Sequence, residues 1–114
     1  MPKLISQKNN HDEVVIYKTV SSTDQVVVDS FSKNQYQSAK YQVQVENNNS
    51  YQTTEILVVH DGVTTYVVEY GTINTNISLA SFTSELSGSS IRLLATPTNE
   101  IETKFKVIRK AINA

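Results

Sequence analysis

Residues 55–70 contain two β-rich segments that meet at the dipeptide Asp61-Gly62. Both segments are dominated by β-branched and aromatic residues, which fit a pleated sheet better than a helix. Asp-Gly is among the dipeptides that best support a two-residue type I′ turn, because both central residues of that turn need φ > 0. The sequence therefore predicts a β-hairpin with a two-residue turn at this position.

The clearest alternation in the chain covers residues 40–46, where Tyr41, Val43 and Val45 are separated by polar residues. A period of two predicts a strand with one buried and one solvent-facing side. The following cluster at residues 47–50 predicts a turn, because asparagine tolerates left-handed φ and bonds its own backbone. The same pattern places Tyr41 in the core.

Similar short segments recur along most of the chain, separated by turn-forming residues. Residues 74–90 are ambiguous, since their apolar spacing fits either a short strand or a helical turn. Strands that recur about every 8–12 residues are typical of all-β sandwiches and barrels. We therefore expect an all-β fold, a single antiparallel β-sandwich of seven or eight strands, with a jelly-roll arrangement as one possible form. Tyr66 is expected in its core.

The length of 114 residues suits one domain. Residues 13–114 are expected to form the β-sandwich, and residues 1–12 a polar N-terminal arm. The absence of cysteine excludes disulfides and cysteine-based zinc sites. A net charge of −1 argues against a nucleic-acid partner, for which a basic face is expected. No apolar run approaches the roughly 20 residues that span a bilayer, and we expect no membrane partner.

Catalytic and metal-binding residues are scarce. His11 and His60 are the only histidines, whereas a metal site needs three or four converging ligands. His60 is expected at an exposed turn tip. No serine lies in a Gly-x-Ser-x-Gly elbow. The candidate carboxylates for glycoside hydrolysis are Glu55, Glu69, Asp61, Glu100 and Glu102, and a solvated strand face is the favoured explanation for Glu55 and Glu69. The sequence thus predicts a non-enzymatic protein without catalytic residues, cofactors or metals.

Several residues are candidates for contact with a partner. The loop-flanking tyrosines could bind a protein or a sugar, and the cationic C-terminal strand could bind an acidic neighbour. The alternative for that strand is edge protection, because lysines on an edge strand block pairing with other chains. The predicted partner-binding residues are Lys3, Leu4 and Ile5 in the arm, Tyr36 and Tyr51 beside loops, and Lys104, Lys106 and Arg109 in the last strand.

Five segments carry a resemblance to a known class of proteins. They are residues 38–45 (SAKYQVQV), 51–62 (YQTTEILVVHDG), 67–72 (VVEYGT), 87–97 (SGSSIRLLATP) and 105–109 (FKVIR). Together they resemble a β-rich module of virion structural and fibre-like proteins of tailed phages, notably marine cyanophages. The resemblance covers about residues 26–112. It implies a virion location for a structural part made in the host cytoplasm, and it supplies no catalytic residue.

The function that follows from this resemblance is that of a bacteriophage capsid decoration protein. Such a protein would bind the coat shell in many copies, through the arm and the strand edge at residues 102–112. Coat or tail subunits are the expected partners, and a homo-oligomer, for example a trimer, is the expected form. The alternatives are a tail, baseplate or fibre-adaptor subunit and a host-surface carbohydrate-binding module, for which a glycan would be the ligand.

Overall fold

The computed structural model describes residues 11–114, with side chains from Glu13 onward. Eight strands account for its regular structure, which confirms the predicted all-β fold and assigns residues 80–87 to a strand. The strands are β1 (His11–Val20), β2 (Val26–Ser32), β3 (Tyr36–Asn47), β4 (Ser50–His60), β5 (Thr65–Asn74), β6 (Ala80–Ser87), β7 (Ser90–Pro97) and β8 (Thr103–Asn113). Over residues 11–114 there is no helix of the length and apolar character needed to cross a membrane.

The strands form two antiparallel sheets that pack face to face. The larger sheet has the order β1-β8-β3-β4-β5 and the smaller one β2-β7-β6. The prediction that residues 102–112 lie at a sheet edge is wrong, because β8 pairs with β1 on one side and β3 on the other. Its alternating lysines mark a solvent-facing side of an interior strand, and a sequence pattern cannot distinguish that from an edge.

The core lies between the two sheets and follows the predicted alternation. Tyr41, Val43 and Val45 of β3 are fully buried, and so are Phe105 and Val107 of β8. Burying one such side chain stabilises the fold by roughly 1.5–3 kcal/mol. The smaller sheet adds the buried residues Val28, Phe31, Ala80, Ile91, Leu93 and Ala95.

The two hairpins around β4 differ in their turns. Asn48 and Asn49 have φ of 47° and 64° and connect β3 to β4 directly, as the asparagine cluster predicts. The hairpin at Asp61-Gly62 forms, but the predicted two-residue type I′ turn is wrong. Four residues separate β4 from β5, and Gly62 has φ of 91° whereas Asp61 stays outside the left-handed region.

The side chain of Asp61 explains the longer loop. Its Oδ1 accepts the backbone N–H groups of Val63 and Thr64 at 2.9 and 2.7 Å. These two backbone donors hold the pKa of Asp61 below its ordinary value, because they favour the charged carboxylate. The loop is therefore closed by a side chain that bonds its own backbone, not by two residues with positive φ.

The larger sheet has a second face that no element within residues 11–114 covers, and we call it the outer face. Its pairing places Val59 of β4 beside Tyr66 of β5, and Leu57 beside Val68. The prediction that Tyr66 belongs to the core is wrong, since 55% of its surface is exposed. β5 is exposed from Tyr66 to Asn74, and its first residue, Thr65, is hydrogen-bonded to Ser84 of β6.

Candidate functional site

A groove of about 690 Å³ crosses the outer face where β8, β3, β4 and β5 lie side by side. We call it the β4–β5 groove. Its floor is made by the side chains of Leu57, Val59, Tyr66, Val68 and Ile112, each between 43% and 55% exposed. A contiguous exposed apolar patch of this kind is more often part of a binding site than the rest of a protein surface is.

Two lysines lie at one side of this apolar floor. Lys40 of β3 and Lys110 of β8 are direct partners across the two strands, and both line the groove. Like charges placed opposite one another destabilise a sheet pair. Lys40 is compensated by Glu55, whose Oε2 lies 3.5 Å from its Nζ and accepts the Tyr70 hydroxyl at 2.9 Å. Tyr70, and after it Glu55, raises the pKa of Lys40, so its ammonium stays charged.

The smaller groove at the other end of the outer face contains two of the predicted contact residues. Lys104 and Lys106 line it together with Tyr17 and Glu46, and its volume is about 250 Å³. The Lys106 ammonium lies 5.6 Å from the centroid of the Tyr17 ring, a cation–π geometry. Partner binding by these lysines stays a prediction.

Tyr51 lies on the same face and is 42% exposed, so its predicted role also remains open to test. The structure describes the chain from residue 11 onward. The predicted contact residues Lys3, Leu4 and Ile5 therefore lie outside the described residues. The first strand already begins at His11, so the arm proposed for residues 1–12 overlaps the sheet.

Arg109 was predicted as a contact residue, but its side chain lies inside the sandwich. Its Nη1 donates to Asp29 Oδ2 at 3.0 Å and to the carbonyl oxygen of Ser30 at 3.0 Å. The Tyr41 hydroxyl donates to the same carboxylate oxygen at 2.8 Å. Burial, and then the Asp29 charge, raises the pKa of Tyr41. These groups connect the two sheets.

The side chain of Tyr36 also contacts other residues of this chain. Its ring packs edge-on against Phe31, with centroids 6.2 Å apart, and lies 5.8 Å from the Arg109 guanidinium carbon.

The prediction that His60 is an exposed tip is wrong, since it is buried. Its Nδ1 accepts the Gly62 N–H at 3.0 Å, and its Nε2 lies 2.7 Å from the Tyr36 carbonyl oxygen. The proton of this ring is therefore on Nε2.

Two of the candidate carboxylates, Glu55 and Glu69, lie on opposite faces of the larger sheet. Glu55 lies on the outer face with Lys40 and Tyr70. Glu69 accepts a hydrogen bond from the Thr72 hydroxyl, which itself contacts the buried Thr54 on the opposite side of the sheet. Within residues 11–114 there is no group of three or more His, Asp or Glu side chains that could hold a metal ion.

The β4–β5 groove was missed by sequence reasoning, although a signal was present. Residues 56–59 form a continuous apolar run instead of an alternating one. Such a run is typical of a strand whose two faces are both covered. Here Ile56 and Val58 are buried, while Leu57 and Val59 point to the uncovered outer face.

No protein-family model and no curated protein matches this sequence. Solved structures do share the fold. The tailspike protein of Acinetobacter baumannii phage AM24 matches with a TM-score of 0.57 and 10% identity over 99% of this chain, which spans 28% of that protein. The tailspike protein gp49 of Acinetobacter baumannii bacteriophage Fri1, described as a capsular polysaccharide depolymerase, matches with a TM-score of 0.51 and 14% identity over 96% of this chain and 19% of its own length.

At these identities the likeness shows that the β-sandwich is shared with part of two phage tailspike proteins. Both come from Acinetobacter phages, and the narrower likeness to cyanophage proteins is not supported. Neither neighbour is a capsid decoration protein, so the comparisons do not support that expectation. The prediction of a non-enzymatic protein is contradicted, because the Fri1 protein that contains this fold is described as a depolymerase.

Proposed function

We propose that this chain is a module of a phage tail protein of the tailspike type, and that its β4–β5 groove binds host-surface polysaccharide. The shared fold supports the tail assignment, since it covers at least 96% of this chain in both tailspikes. The observation that carries the binding role is the groove, with its exposed tyrosine, aliphatic floor and adjacent lysines. The carbohydrate-binding alternative thereby gains a defined location.

The groove has the features that a sugar polymer needs. Sugar rings present C–H faces that pack on apolar and aromatic side chains, and Tyr66 and Leu57 offer such surface on the outer face. The groove lies on an open sheet surface, so a polymer can extend past it without entering a closed pocket. Lys40 and Lys110 supply two ammonium groups that attract carboxylate. An acidic polysaccharide is therefore the ligand that fits best.

The binding role is tested with purified protein and capsular polysaccharides of acidic and neutral composition, by calorimetry or biolayer interferometry. Tyr66→Ala is expected to weaken binding to both, because it removes the aromatic surface. The double variant Lys40→Gln and Lys110→Gln is expected to weaken binding to the acidic polymer about tenfold and to abolish its salt dependence.

A matched pair of lysines on the same face provides the control. The double variant Lys104→Gln and Lys106→Gln removes the same charge from the other end of the outer face. It should leave affinity nearly unchanged, apart from a weak long-range effect that salt screens. Equal loss in both double variants would show that net charge, not the β4–β5 groove, determines binding.

The tail assignment is tested on intact particles. Gold-labelled antibody against this chain, viewed by electron microscopy, should mark the tail end of the virion. Labelling spread over the head would instead support the coat-shell role and contradict this proposal. The two results differ in where the antibody labels the particle, so this test does not depend on whether the groove binds sugar.

A further inference from the structure

Two further pockets of about 290 Å³ each lie on the outer face, beyond the β4–β5 groove. Both are lined by Thr53 of β4 and Ile73 of β5, which are direct partners across the two strands. The first pocket begins at Glu55, whose carboxylate lies 3.5 Å from the Lys40 ammonium in the groove. The second pocket reaches Tyr51. The two pockets therefore continue the groove along β4, and we call the surface from Glu55 to Tyr51 the polar track.

Gly71 lines the polar track, and neither the backbone nor the packing of this chain requires a glycine there. Among the three glycines, φ is positive only at Gly62 and Gly88, and a bulge that requires glycine has it in the left-handed region. A Cβ added at Gly71 would meet no atom within 4 Å. A glycine inside a strand weakens the strand, and one reason for its presence is the close approach of a ligand. Gly71 therefore leaves open space in which a ligand can contact the β5 backbone.

The side chains of the polar track carry mainly amides and hydroxyls. Gln42 and Gln44 of β3 are exposed, and Gln44 lies opposite Thr53 of β4. Amides and hydroxyls both donate and accept hydrogen bonds, as the hydroxyls of a neutral sugar do. Ile73 and Tyr51, which are 70% and 42% exposed, add apolar surface on which the C–H faces of sugar rings can pack.

We propose that the polysaccharide site continues along the polar track, with an acidic ring of the polymer at the lysines of the groove and neutral rings over Gly71 and Tyr51. This inference rests on the proposed function and specifies its ligand. From Val59 in the groove to Tyr51 the strand extends about 26 Å, at about 3.3 Å per residue, so the whole site is several sugar rings long. Within residues 11–114, Glu55 is the one charged side chain that lines the two pockets, and it repels a second carboxylate there.

The polar track ends before the smaller groove that contains Lys104 and Lys106. Glu46 of β3 pairs with Tyr51 on one side and with Lys104 on the other, so it lies between the track and these lysines. The double variant Lys104→Gln and Lys106→Gln therefore remains a control for the extended site.

Oligosaccharide fragments test the polar track by calorimetry. They are cut, at one to several repeating units, from the acidic capsular polysaccharide that the wild-type chain binds most tightly. Affinity should rise at least about tenfold from a fragment that fills the groove alone to one that also fills the track. Gly71→Val places a side chain on the track, where the structure has room for it. It should abolish this gain, while the short fragments bind as they do to wild type.

A valine on the other face of the same strand provides the matched control. Asn74 pairs with the buried Gln52, so its side chain faces away from the polar track. Asn74→Val should bind fragments of every length as wild type does. Tyr51→Ala tests the far end of the track independently and should reduce the gain for the longest fragments. Oligogalacturonates carry a carboxylate on every ring and should show no gain with length, so an equal gain would contradict neutral rings over Glu55.

The outcomes separate this inference from the proposed function. If affinity does not depend on length, or if Gly71→Val and Tyr51→Ala both retain the full gain, the inference is overturned, while a loss in Tyr66→Ala still supports the groove. If wild type binds no polysaccharide, the proposed function itself fails. Light scattering on the same variants tests another occupant. An oligomer that Gly71→Val dissociates and Asn74→Val does not would show that a second copy covers the track, which also overturns the inference.

Discussion

Replacing Asp29 with alanine removes the carboxylate that connects the two sheets inside the sandwich. In the folded protein this group accepts hydrogen bonds from Tyr41 at 2.8 Å and from Arg109 at 3.0 Å. The Asp29 and Arg109 side chains are only 8% and 9% exposed. The substitution therefore leaves a buried guanidinium without its counter-ion and a buried hydroxyl without its acceptor.

The magnitude follows from the burial of the remaining charge. Removing one partner of a buried ion pair costs about 3–5 kcal/mol, because the other charge stays desolvated. A domain of this size is stable by about 5–15 kcal/mol, so Asp29→Ala should remove at least about a fifth of the free energy of unfolding. With a urea dependence of about 2 kcal/mol per molar, the unfolding midpoint should fall by about 2 M.

The assay is urea unfolding followed by circular dichroism, with a surface pair as the control. Arg92 and Glu85 are 3.3 Å apart but 40% and 45% exposed, so Glu85→Ala should cost no more than about 1 kcal/mol. The double variant Asp29→Leu and Arg109→Met replaces both charges by apolar groups and should recover most of the loss. If Asp29→Ala costs no more than Glu85→Ala, or if the double variant is less stable than Asp29→Ala, the reasoning is wrong.

Three further substitutions have directions fixed by the structure. Asn49 has φ of 64°, so Asn49→Val should lower stability by about 1–2 kcal/mol in thermal unfolding, whereas Asn49→Gly should be neutral. Gln52→Leu leaves the Leu79 N–H and the Ala80 carbonyl oxygen without their buried partner, and urea unfolding should show a loss of about 2–3 kcal/mol. The folded pKa of Asp61 is lowered, so its carboxylate stabilises the fold above its ordinary pKa and this contribution is lost as the pH falls through the folded pKa. Asp61→Ala should thus be less stable than wild type at neutral pH but not in strong acid, and a difference that is constant with pH would contradict this.

Local patterns were sufficient to predict much of the fold. The alternation in β3 gave the buried face with Tyr41, and the asparagine cluster gave the turn that follows. Both depend on neighbours in sequence, so a single segment contains the information. The turn at Asp61 was wrong in type because the carboxylate bonds the loop backbone, and that competes with the two-residue turn.

Features that depend on distant residues could not be predicted in the same way. Arg109 is buried in phase with Phe105 and Val107, although it was predicted to contact a partner. What makes that position possible is Asp29, 80 residues earlier in the chain and in the other sheet. Strand order is equally non-local, and this is why β8 was assigned to an edge.

The apolar run in β4 is a case in which the expected burial and the observed burial differ, and the difference indicates a binding surface. A strand that is apolar on both faces is expected to be covered on both faces. The smaller sheet covers the side of Ile56 and Val58, but nothing within residues 11–114 covers Leu57 and Val59. The sequence therefore has the composition of a buried strand on a face that the described fold leaves open. A chain that retains apolar residues on this face is consistent with a partner that covers it.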